Sequence, residues 1–173
     1  YTGESLTTYQ PQGPWAETHR QLAAAAPVHI SNVHILANLE PWRWGSPAFV
    51  EKTVQAMHKV HHANGLHLYP QANYWDWPYS ADKLPGGKRL LELERDWIWY
   101  KAWGRYAWNS NRNSTADKTF WKKTIADYYG TDTITAARIV EAYDQSGEIA
   151  PKLIRRFGIT EGNRQCLLLG MKM

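Results

Sequence analysis

Apolar positions recur along the chain first in short, alternating helical and strand-like runs and then at helical spacing alone. Residues 14–26 read as a helix that stops before Pro27, and residues 7–14 (TTYQPQGP) before it read as a loop. Residues 30–39 (ISNVHILANL) are rich in β-branched side chains and predict a buried strand, followed by a loop over residues 40–45. Ser46 then suits an N-cap with Pro47 at the first helical position, and Val50, Val54, Met57 and His61 repeat at helical spacing. Asn64-Gly65 is expected to stop that helix with a left-handed cap. Residues 66–69 predict a second strand, and residues 70–87 a long loop. From Arg89 onward the reading is helical. One long helix is expected over residues 90–108, apolar on nearly every face between Trp97 and Trp108. Ser114-x-x-Asp117 resembles a capping box, opening a helix with Trp121, Ile125 and Tyr128 on one face and Gly130 at its end. Residues 133–145 and 148–157 complete a helical lobe, with Gly147 and Gly158 as stops.

Strands joined by a helix and each followed by an aromatic loop are the repeating unit of an α/β barrel or doubly wound sheet. A complete (β/α)8 barrel takes about 250 residues, and the front of this chain has room for two or three βα units by that standard. The expected fold is therefore α/β: the closing βα units of an incomplete (β/α)8 barrel followed by a helical lobe, helix-dominated overall. Residues 1–100 would be the barrel segment and residues 101–173 the C-terminal helical region packed on it. No internal repeat, low-complexity segment or linker divides the two, so one shared core is expected.

Composition narrows the function classes. The 173 residues are 43% hydrophobic and 21% charged, which argues against a generally disordered chain. Mean hydropathy is −0.58, and no apolar run approaches the roughly 20 residues of a membrane helix. A net charge of +4 with scattered basic residues does not point to nucleic acid. Cys166, the single cysteine, can form no internal disulfide and anchor no thiolate metal cluster. The N-terminal residues lack the pattern of a secretory signal, and the first residue is Tyr1, as in a processed product or a piece of a longer chain. The outlying feature is aromatic content: ten Trp, ten Tyr and three Phe, several of the Trp in tight pairs.

Two loops combine carboxylates with those aromatics. Glu40 follows the first strand, where an α/β barrel turns side chains into its active-site mouth, and could serve as base or nucleophile. It could equally cap backbone amides or pair with Arg43. Asp76 sits within Tyr74-Trp75-Asp76-Trp77-Pro78-Tyr79 beyond the second strand, and Trp42 and Trp44 form a similar pair after the first. Indole and phenol faces stack on the C–H faces of sugar rings while carboxylates bond the hydroxyls, so two agreeing loops suggest a saccharide cleft. The competing reading is that these tryptophans wedge a barrel against the helical lobe. His67 could line the cleft floor, although a satisfied core histidine is the favoured reading. His58, His61 and His62 share a helix at chelating spacing but lack HExxH and a third ligand, so no metal is expected. Asn113-Ser114-Thr115 is a formal glycosylation sequon. The absence of a P-loop, a dinucleotide fingerprint and a GxSxG elbow removes nucleotide chemistry and serine hydrolysis, and no cofactor is expected.

Trp103-Gly104-Arg105-Tyr106-Ala107-Trp108-Asn109, followed by a capped helix over residues 115–130, resembles the FGRLAWNP-type segment of family 67 α-glucuronidases. Val140-Glu141-Ala142-Tyr143 is similar to the next helix of that family, and His34-Ile35-Leu36-Ala37-Asn38-Leu39-Glu40 to a strand whose terminal Glu helps position water. The resemblance implies a secreted or periplasmic barrel glycoside hydrolase, with Glu40 among the base-side carboxylates and the general acid outside this chain. It supports that class more firmly than glucuronate as the sugar.

The combined expectation is part of a hydrolase acting on plant or microbial polysaccharide or oligosaccharide, with acidic sugars left open. Glu40 and Asp76 would carry the carboxylate chemistry. Trp42, Arg43, Trp44, His67, Tyr74, Trp75 and Trp77 would bind substrate. The partners would be a carbohydrate and the remainder of the barrel, on the same parent polypeptide or another chain, with no membrane and no nucleic acid. A non-catalytic carbohydrate-binding module and a scaffold domain using its tryptophans for subunit contacts are the two alternatives.

Overall fold

The computed structural model describes residues 2–4, 15–33, 46–68, 79–83 and 85–146. The expected loop over residues 7–14, the strand continuation over residues 34–39, Tyr69, the helix over residues 148–157 and its flanking glycines lie outside the described residues.

Three parallel strands alternate with two helices: β1 (Thr2–Glu4), α1 (Trp15–Ala25), β2 (Ile30–Val33), α2 (Pro47–Lys59) and β3 (Gly65–Leu68). The sheet order is β1-β2-β3, with Thr2 paired to Ser31 and Ile30 to Gly65. Consecutive parallel strands lying side by side need crossover helices, which α1 and α2 supply. This is the expected βα repeat, and helix dominates the described residues as anticipated. The start of β2 departs from the buried strand expected there, since Ile30 is 45% exposed.

Local chemistry accounts for the helix ends. The Ser46 hydroxyl accepts from the Phe49 amide at 3.1 Å, with Pro47 opening α2, as its sequence predicts. Asp144, from the far end of the chain, reaches the same helix end. Its Oδ1 accepts from the Ser46 hydroxyl at 3.2 Å and from the Ala48 amide at 3.3 Å. A carboxylate there meets the positive end of the helix dipole. Helix α2 stops at Lys59, earlier than Asn64-Gly65 suggested, and the left-handed residue is His62 (φ 54°) while Gly65 begins β3.

The stretch expected to be one loop and then one long helix is subdivided. Strands β4 (Tyr79–Lys83) and β5 (Arg89–Leu91) form an antiparallel pair, turned through Gly86 and Gly87 at φ 79° and 77°, values that disfavour any side chain. A short helix α3 (Glu92–Arg95) precedes α4 (Trp97–Trp108). Helix α4 buries Ile98, Trp99, Ala102, Trp103 and Tyr106 on one side, whereas Trp108 is 89% exposed, so it is not covered all round.

Helices α5 (Ser114–Tyr129) and α6 (Thr133–Ser146) complete the described lobe. The cap of α5 is Asn113, whose side chain accepts from the Ala116 amide at 3.0 Å, rather than Ser114. Asp117 does not turn back to complete a capping box. Its Oδ1 accepts from the Arg105 Nε at 2.7 Å and its Oδ2 from the Tyr106 hydroxyl, which in turn accepts from the Trp121 indole at 2.8 Å. Gly130 ends α5 in the left-handed conformation, as its sequence predicts (φ 62°).

One core joins the βα segment to the helical lobe. Val50, Val54 and Met57 of α2 meet Ile98, Trp99, Ala102, Trp103 and Tyr106 of α4, with Trp121, Ile125 and Ala136 closing the far side. Leu66 of β3 packs at its margin. Asp117 and its partners form a polar contact at this core. Replacing Asp117 by Ala strands Arg105 and Tyr106, and is expected to cost about 3–5 kcal/mol. Urea unfolding followed by circular dichroism measures this, and a loss below about 1 kcal/mol, the scale of an exposed pair, would show that the network is not needed.

Candidate functional site

Strands β1, β2 and β3 end side by side, with Glu4 paired to Val33 and Val33 to Leu68. Neighbouring strands lie about 4.8 Å apart, so the segments after β2 and β3 leave from adjacent roots on one edge of the sheet. Those segments are residues 34–45 and 69–78, which carry the predicted carboxylates and aromatics. Glu40, Trp42, Arg43, Trp44, Tyr74, Trp75, Asp76 and Trp77 lie outside the described residues.

His67 is described, and it is not a core histidine. Alternation along β3 places it on the face opposite Leu66, whose side chain packs toward the helical core. The imidazole is exposed and lines an open hollow of about 520 Å³ with Leu22, Ala26, Val28, His29 and Ile30. Val28 is 66% exposed there, so an apolar face of the sheet layer stands open beside a polar ring nitrogen.

Behind that hollow lies a cluster that local spacing does not reveal. His19 of α1, His29 before β2 and His61 after α2 are all buried. His19 Nδ1 and His29 Nε2 are 3.0 Å apart, so one nitrogen donates and the other accepts. The His61 ring stacks on His19 at 3.9 Å with 3° between planes, and its Nδ1 finds no partner among the described residues. The His29 amide donates to Asn64 Oδ1 at 2.8 Å and its carbonyl accepts from the Asn64 amide at 2.8 Å, fixing the turn that carries His61. Burial, followed by the neighbouring imidazoles, holds His19 and His61 down at about 4. His29 is lowered too, chiefly by burial. The helical spacing of His58, His61 and His62 does not make a chelate: His58 Nδ1 lies 2.8 Å from the Ala63 carbonyl, His61 stacks on His19, and His62 is exposed. No three His, Cys, Asp or Glu side chains are grouped to hold a metal among the described residues.

No family model matches this chain, and no curated protein matches it. Among solved structures it is similar to a GH138 enzyme targeting pectin rhamnogalacturonan II, at 64% sequence identity and a TM-score of 0.84. The likeness is to a glycoside hydrolase. It supports that class, and not the family 67 α-glucuronidases that the segment at Trp103–Asn109 suggested. The match covers 94% of this chain and 19% of the GH138 enzyme, so the chain spans about one fifth of that protein's length.

The histidine cluster makes stability depend on pH. The unfolded chain takes up protons at His19 and His61 near pH 6.5, whereas the folded chain resists until about pH 4. Stability is therefore complete above about pH 6.5 and falls as the pH drops toward 4, by on the order of 2 kcal/mol per imidazole. Urea midpoints at pH 7.5 and 4.5 should differ more in the native sequence than in His61→Phe, which keeps the stacked ring but cannot titrate. An equal difference in both would exclude His61 as a cause.

Proposed function

We propose that this chain is part of a glycoside hydrolase that acts on a plant cell-wall polysaccharide, with pectin rhamnogalacturonan II as the candidate substrate. The observation that carries this reading is the 64% identity, with a TM-score of 0.84, to the GH138 enzyme. The parallel βα repeat adds support: its adjacent strand ends lead into the two segments rich in Trp, Tyr and carboxylates. In this reading the three strands belong to a (β/α)8 barrel completed by residues elsewhere in the parent protein, which would be secreted or periplasmic.

Glu40 then serves as base or nucleophile at the barrel mouth. Asp76 shares the acid–base work or bonds substrate hydroxyls. Trp42, Trp44, Trp75 and Trp77 form stacking walls, with Tyr74 beside them. Arg43 can neutralise an acidic sugar, and exposed His67 lines the floor. Glycosidases pair two carboxylates whose separation sets retention or inversion.

The chain's 19% share of the GH138 enzyme favours one further reading, an accessory carbohydrate-binding segment. Glu40→Gln separates the two. In the full-length parent protein, hydrolysis of rhamnogalacturonan II is expected to fall by about two orders of magnitude or more with folding preserved. Unchanged hydrolysis, with saccharide binding retained, would remove Glu40 from the mechanism and favour the accessory role.

A further inference from the structure

At one side of the helical lobe, aromatic rings from three helices meet at the solvent boundary. Trp97 of α4 stacks on Tyr128 of α5 at 3.9 Å with 19° between planes. Tyr129 stands edge-on to both, at 4.9 Å from Tyr128 and 6.2 Å from Trp97. Trp97 and Tyr143 belong to the margin of the hydrophobic core, whereas Tyr128 and Tyr129 are 50% and 47% exposed. Two neighbouring phenols thus stand outside the core on an aromatic base.

Both exposed rings are held in place. The Tyr128 hydroxyl donates to the Glu94 carbonyl at 3.2 Å, and the Tyr129 and Tyr143 hydroxyls lie 3.3 Å apart. Rings already fixed in the free protein lose little conformational entropy when a ligand arrives. Tyrosine offers an apolar face and a hydroxyl at its edge, matching the C–H faces and hydroxyls of a pyranose. Exposed Leu93 precedes Glu94, whose carbonyl anchors Tyr128.

We infer that Tyr128 and Tyr129, backed by Trp97 and Tyr143, form a saccharide-binding platform on the helical lobe. The inference rests on the proposed polysaccharide substrate for its ligand and is independent of the catalytic roles.

Affinity electrophoresis of the 173-residue chain in gels with and without rhamnogalacturonan II tests it, with circular dichroism as the check on folding. The native sequence should be retarded by the polysaccharide. Tyr128→Ala and Tyr129→Ala should each weaken retardation at least five-fold, and Trp108→Ala, an exposed indole elsewhere on α4, should leave it unchanged. The platform is overturned if the native chain is not retarded, or if folded tyrosine variants are retarded like it. It is also overturned if sedimentation shows a dimer that Tyr128→Ala dissolves while polysaccharide has no effect. Tyrosine-dependent retardation without hydrolysis by the full-length parent would sustain the platform and overturn the hydrolase reading.

Discussion

Helix α2 has to be both the crossover between two parallel strands and a wall of the helical core, and the packing of its apolar stripe against α4 holds the described structure together. Val50, Val54 and Met57 recur one turn apart and meet the side of α4 that carries Trp99, Trp103 and Tyr106. Burying side chains of this size contributes about 1.5–3 kcal/mol each. Because β2 and β3 are paired directly and α2 connects them, anything that loosens the α2–α4 contact also loosens the edge from which the candidate site segments depart.

Two polar arrangements orient that apolar contact. Asp117 accepts from Arg105 and Tyr106, and Trp121 donates to the same phenol, so α4 and α5 are fixed in rotation as well as distance. Arg105 also lies over the Phe120 ring at 3.5 Å, which adds a cation–π contact on the same side. Asp144 does comparable work between α6 and the start of α2. Hydrogen bonds of this kind add little net stability when made and cost much more when half of the pair is removed. Their contribution is to select one packing among several that apolar surface alone would tolerate.

The same layout separates stable from responsive regions. Among the described residues, the helical core is built mainly from apolar side chains around the Asp117 network. The junction of α1, β2 and the end of α2 is built from three buried imidazoles, and its stability follows protonation. That junction forms one wall of the open hollow through His29, so the apolar face of the sheet and its histidine support lie next to each other.

Local signals determined much of the secondary structure. Ser46-Pro47, Gly130 and the apolar spacing of Val50, Val54 and Met57 depend on neighbours within a few residues, as do the β-branched residues of β2 that made the βα alternation legible. The tertiary structure decided where a local signal had two uses. Asp117 could cap its own helix or accept from Arg105 and Tyr106, and the second choice satisfies a partly buried cation and a buried phenol. The apolar run through residues 97–108 could be covered all round or on one side, and only packing left Trp108 in solvent. His19, His29 and His61 became a cluster because α1, β2 and the turn after α2 converge, a convergence that no spacing along the chain encodes. Periodicity reports which side of an element is apolar; which partner that side meets is set by the competition among all faces to leave water at once.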